Sequence, residues 1–162
     1  MPKALVVAGT SYNFPVSGEN PEWGEDATAW AEAVTEVLST LLAPGDILET
    51  TSTINNNISS ATNINGLVFD PGTVRAANIN YAIYRISTAN PSGHAEDGMI
   101  ALIYDDSASA GNKWQLSQRR GGTEAGVTFS ITDAGQVQYT STDINSTGYV
   151  GTITFTAKTL SK

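Results

Sequence analysis

The chain of 162 residues has no cysteine, which excludes a disulfide scaffold, a thiolate metal site, a cysteine nucleophile and a thiol redox motif. Its single histidine, His94, excludes a multi-histidine metal site. Positive charge is scarce: eight Lys and Arg stand against sixteen Asp and Glu, for a net charge of −8 and a pI near 4.4. Phosphate-binding surfaces need the opposite balance, so duplex nucleic acid and anionic membranes are poor partners. Charge of either sign is also low, at 15% of residues against about a quarter in an ordinary soluble domain. No apolar run approaches the roughly 18 residues that a membrane span requires. Polar residues cut short the apolar opening at residues 1–8 before it reads as a signal peptide. The expectation is a soluble protein made in the cytoplasm, with no membrane, nucleic-acid or cofactor partner.

What is present is short, polar and uncharged: 20 Thr, 15 Ser and 12 Asn. Such a surface suits β-structure and packing against neighbours. The acids are unevenly placed. Through Thr50 the only basic residue is Lys3, against eight acids, whereas the remainder is close to neutral. This asymmetry marks a boundary between an acidic N-terminal region, 1–49, and the rest of the chain. The length fits one domain with a small appendage.

The first region reads as a strand at residues 3–8, a second extended piece ending at Phe14-Pro15, and one helix over about 21–42. Asn20 and Pro21 suit its start, with a second start near Gly24, and Pro44-Gly45 halts it. Trp23, Ala27, Trp30, Val34, Val37 and Leu41 recur at intervals of four and three, an apolar stripe down one face. A helix with this stripe either lies on its own β-domain or meets symmetry copies in a small bundle. Residues 50–66, rich in Thr, Ser and Asn, read as a polar connector. From 67 to 162 the period switches to two: Ile79, Tyr81, Ile83 and Val127, Phe129, Ile131 alternate with small or polar residues. Seven short strands separated by Gly, Pro, Asn and Asp clusters predict an antiparallel, jelly-roll-like β-sandwich. The fold class is mainly β: an N-terminal strand-plus-helix anchor region, then the sandwich.

No residue pattern carries catalysis. His94, read as lying in a loop over 91–98, has no activated nucleophile beside it. Glu96-Asp97 and Asp105-Asp106 read as solvated turn acids; a glycosidase needs two acids facing each other across a cleft. No calcium-loop pattern frames them. Arg119-Arg120 is too small a basic patch for nucleic acid. The expectation is a non-enzyme with no metal. Aromatic side chains in the strands serve core packing or a sugar-stacking platform, and Tyr104, Trp114, His94 and Arg120 are the candidates for such surface recognition.

Two stretches resemble a known class. Asn13-Phe14-Pro15-Val16-Ser17-Gly18-Glu19-Asn20-Pro21-Glu22-Trp23-Gly24-Glu25, with the helix from Trp30 to Leu42, resembles a leader of small structural proteins of tailed bacteriophages. Gly135-Gln136-Val137-Gln138-Tyr139-Thr140-Ser141-Thr142 and Gly148-Tyr149-Val150-Gly151-Thr152-Ile153-Thr154-Phe155-Thr156-Ala157-Lys158 resemble the β-domains of phage fibre, collar and decoration proteins. The resemblance covers a little over a quarter of the chain. It implies a virion component, assembled in the host cytoplasm, that docks onto capsid, neck or tail proteins by its leader and displays the β-domain. A homo-oligomer is expected, a trimer by preference, with Trp23, Ala27, Trp30, Val34, Val37 and Leu41 as the self-association or docking face. The alternative is a carbohydrate-binding tip that meets a host glycan.

Overall fold

The computed structural model describes residues 3–7, 9–14, 24–40, 43–145 and 147–162. It separates into two compact units, Met1–Ala43 and Pro44–Lys162. In the first, β1 (Lys3–Val7) and β2 (Thr10–Phe14) form an antiparallel hairpin. The helix α1 (Gly24–Thr40) packs on that hairpin, chiefly against β2. Among the described residues no helix is long and apolar enough to cross a membrane.

The second unit is a β-sandwich. One sheet has five strands in the order β3-β10-β5-β6-β7, formed by Ile47–Thr53, Val150–Ser161, Val74–Ser87, Asn90–Tyr104 and Trp114–Gly122. The other has three in the order β4-β9-β8, formed by Ile58–Val68, Gln136–Ser141 and Val127–Ile131. Period-two alternation sets which side chains meet: Ile79, Tyr81 and Ile83 of β5 and Ile153 and Phe155 of β10 point inward and are buried. Val127 and Phe129 of β8 and Val137 and Tyr139 of β9 meet them from the opposite sheet. Each large side chain buried this way contributes about 1.5–3 kcal/mol.

Two expectations are corrected. Residues 50–66 are not a connector, because 50–53 lie in β3 and 58–66 in β4, with only 54–57 between the strands. The alternation there is between Thr, Ser or Asn outward and a few inward apolar side chains. Ile54 and Ile64 have no exposed surface, and Leu67 just beyond the stretch has none. Residues 91–98 are not a loop but the first half of β6, which returns from β5 through the turn at Thr88-Ala89. The proline at 91 is tolerated because β7 pairs with β6 only from Glu96 onward, leaving Pro91 on an edge.

The β8–β9 turn packs closely against the end of β4 within the three-stranded sheet. Gly135 has φ +83°, and a methyl group there would run into the Phe69 carbonyl. The Phe69 amide in turn donates to the Gly135 carbonyl at 3.0 Å. Gln136 Nε2 donates to the carbonyls of Ile64 (3.0 Å) and Leu67 (3.1 Å), filling the break in register between β4 and β9.

Candidate functional site

The described part of the sequence-predicted docking face is brought together on α1. Ala27, Trp30, Val34 and Val37 share one side of the helix, and all four are half-buried. Trp23 and Leu41 lie outside the described residues. Leu38 on the helix and Val6 on β1 stay 58% and 68% exposed. Ala27, Ala31 and Thr35 line a shallow groove along the helix with Glu32 and Glu36. The helix therefore lies on its own N-terminal hairpin, and that hairpin leaves the stripe incompletely covered.

A second cluster lies inside the sandwich, at the end where segments 54–57, 123–126, 142–145 and 147–149 converge. Arg85 continues the inward positions of β5 and has no exposed surface. Its Nε donates to Tyr149 Oη at 3.0 Å and its Nη2 to Asn56 Oδ1 at 2.9 Å and the Thr142 carbonyl at 2.6 Å. Its Nη1 donates to the Ala125 carbonyl. The Ala125 amide donates to Glu96 Oε2 at 2.8 Å, and Tyr81 Oη donates to Glu96 Oε1 at 2.9 Å. A buried cation and a buried carboxylate thus share one residue's backbone. The bonds of Arg85 cross between a strand and its neighbouring loops, so the cluster straps three loops onto the sheet.

Burial pushes the Tyr81 phenol up to about 12 from 10.0; the hydrogen bond and charge of Glu96 act in the same direction, and Gln118, donating at 2.6 Å, acts against them. Folding therefore favours the protonated phenol. Its share of stability is complete below about pH 10 and is lost as pH rises through about 12. In a phenolate absorbance titration, the difference between the parent chain and Tyr81→Phe should have its midpoint near 12; a midpoint near that of a free phenol would contradict this environment.

The proposed surface-recognition residues do not form a site together. Tyr104 and Trp114 are each 6% exposed. Their rings pack at 4.9 Å between centroids, and Phe69 lies 6.3 Å from Trp114. They are core residues, because the inward period Ile100, Leu102, Tyr104 continues to the end of β6. His94 faces Arg85 across the β5–β6 pair. It is half-buried, and its Nδ1 has no hydrogen-bond partner among the described residues. Arg120 forms an exposed pair with Glu124 at 3.0 Å, a geometry worth about 0–1 kcal/mol.

The acid pairs divide as well. Glu96 points inward and Asp97 outward from the same strand. Asp105 accepts from the Ser107 hydroxyl (2.7 Å) and amide (2.9 Å), which hold its carboxyl below the usual range. Asp106 pairs with Lys162 at 2.8 Å, and that hydrogen bond holds its carboxyl low. These acids shape a turn. Among the described residues no group of three or more acidic or histidine side chains is arranged to hold a metal ion.

One feature has no signal in the sequence. Between the edge strands β3 and β4 runs a groove of about 750 Å³ lined by uncharged hydroxyl and amide side chains, among them Thr51, Thr53, Thr62, Asn63 and Asn65.

No family model matches the chain, and no curated protein matches it. Among solved structures, the tailspike protein of Acinetobacter phage vB_ApiP_P1 is similar over 70% of this chain and 22% of that one, at 15% identity and a TM-score of 0.45. The tailspike protein of Acinetobacter baumannii phage AM24 is similar over 72% of this chain and 26% of that one, at 11% identity and a TM-score of 0.35. The chain spans about a quarter of the length of either tailspike.

Proposed function

We propose that the chain is a non-enzymatic structural component of a bacteriophage virion: a homo-oligomeric short-fibre, collar or head-decoration subunit. It docks through its N-terminal unit and displays the sandwich. The observation that carries this is the helix stripe. Ala27, Trp30, Val34 and Val37 are only half-buried on a two-stranded hairpin, and such a hairpin is marginal by itself in water. Completing the burial against sister helices or a docking protein is worth about 1.5–3 kcal/mol for each large side chain fully covered. The sequence resemblance to phage leaders falls on this same region. Within the sandwich, the chain enters at Pro44, where Asp46 is bound by Thr159 and Lys158 at one end of β10. The strapped loops lie at the other end of that strand.

Light scattering on the full chain tests this. The expected mass is a multiple of 17.0 kDa, lowered by Trp30→Ala. A single-chain mass at every concentration, or a mass indifferent to Trp30→Ala, would remove the support.

The second reading is a carbohydrate-binding tip, favoured by the neutral polar groove between β3 and β4. A ligand rich in hydroxyls and free of charge matches its side chains. Glycan-array binding abolished by Asn63→Leu in a folded chain would favour this reading, and an array without binders would remove it.

A further inference from the structure

The outer face of the five-stranded sheet has a composition that solvent alone does not explain. Among the described residues, half of the eight large hydrophobic side chains left exposed lie on it: Tyr84 (43%), Ile103 (51%), Val150 (55%) and Leu160 (64%). They sit in two groups. Leu160, Ala76 and Ile103 form one row across β10, β5 and β6 at one end of the sheet. Val150 and Tyr84 lie at the other. A clustered distribution of this kind marks an interaction surface, whereas scattered apolar residues do not.

Between the two groups the face carries mostly small side chains and is nearly neutral. Thr154, Ala82 and Asp97 form its central row, and Lys158 is already paired with Asp46 at 2.8 Å. Asp97 on β6 and Arg119 on β7 are exposed and two residues apart in register. Among the described residues neither side chain has a hydrogen bond or ion pair. Two adjacent, opposite and unpartnered charges are self-complementary: a two-fold axis between them sets Asp97 of each copy against Arg119 of the other.

Five strands about 4.8 Å apart and about 11 residues long at about 3.3 Å per residue present roughly 850 Å². A stable pair of standard size needs about 800 Å² per partner. The acidic excess of the chain lies in its first 50 residues, and the rest is close to neutral, so like-charge repulsion between copies is weak on this face.

We propose that this face is where the sandwich pairs with a second copy of the chain, about a two-fold axis passing between Asp97 and Arg119. This two-fold pairing is distinct from the threefold order expected from the sequence. It rests on the assembly reading and assigns a surface to it.

Sedimentation equilibrium on full-length chains tests the pairing, with Trp30→Ala as the background so that the helix contributes little. Asp97→Lys or Arg119→Glu alone brings like charges face to face and should weaken pairing about tenfold or more. The double variant Asp97→Lys/Arg119→Glu should restore it. Ile103→Lys should also abolish pairing, and because Ile103 is exposed the fold should be unaffected. If the parent chain associates but the Trp30→Ala background is monomeric, or its pairing ignores all these changes, the sheet face is overturned and assembly through the helix stands. Should Ile103→Lys lower the melting temperature without changing the mass, Ile103 serves the fold and not a partner, and the pairing is again overturned. A parent chain that is monomeric at every concentration overturns the assembly reading and the pairing with it.

Discussion

Replacing Arg85 by alanine should cost more stability than any other single change outside the glycines. The substitution leaves four acceptors at the loop end without their donor: the carbonyls of Ala125 and Thr142, Asn56 Oδ1 and Tyr149 Oη. A buried acceptor left unsatisfied costs about 1–3 kcal/mol. Some of the four relax toward other donors; Tyr149 also donates to the Ile54 carbonyl at 2.7 Å, and Asn56 still accepts from the Ile144 amide at 3.1 Å. The expected loss is about 3–5 kcal/mol, the range for breaking a buried charged cluster by removing one member. A domain of ordinary stability has about 5–15 kcal/mol in total, so Arg85→Ala should fold poorly or melt at a much lower urea concentration. Arg85→Lys keeps the charge but not the planar fork, and should fall in between. A urea midpoint unchanged in Arg85→Ala would show that the cluster is not what fixes the loops.

Trp114→Ala should be nearly as damaging. The indole is 6% exposed and packs between Tyr104 and Phe69. Removing a buried tryptophan costs about 3–5 kcal/mol through lost contacts and the cavity left behind. The indole Nε1 has no hydrogen-bond partner among the described residues, so Trp114→Phe, which removes that polar group, should be tolerated far better. If Trp114 were instead a sugar platform, Trp114→Ala would lose ligand binding and keep its urea midpoint.

Much of the fold is legible because the apolar period survives intact in the strands that form the middle of the sheets. Ile79, Tyr81 and Ile83 locate β5, and the alternation after Val150 locates β10. Strands β3 and β4 are not legible as strands. Threonine, serine and asparagine fill their outward positions, and too few apolar residues remain inward to show a period. The same composition hides the groove between them. The helix stripe reads directly from its four-three spacing. The buried cluster escapes a reading of motifs although a signal for it exists: Arg85 falls on the inward period of 79, 81 and 83, where a charge demands partners. Extending the period of Ile100 and Leu102 by one step puts Tyr104 in the core rather than on the surface. Glu96 carries no comparable signal, since Pro91 and Gly93 give its strand the composition of a loop.

In the proposed role the chain is a building block, held in a virus particle by apolar surface on its N-terminal helix. Quantitative mass spectrometry of purified particles that carry its gene tests this most directly. A fixed number of copies per particle is predicted, falling sharply when Trp30 is replaced by alanine. Particles that are infectious, complete and free of the chain would contradict it.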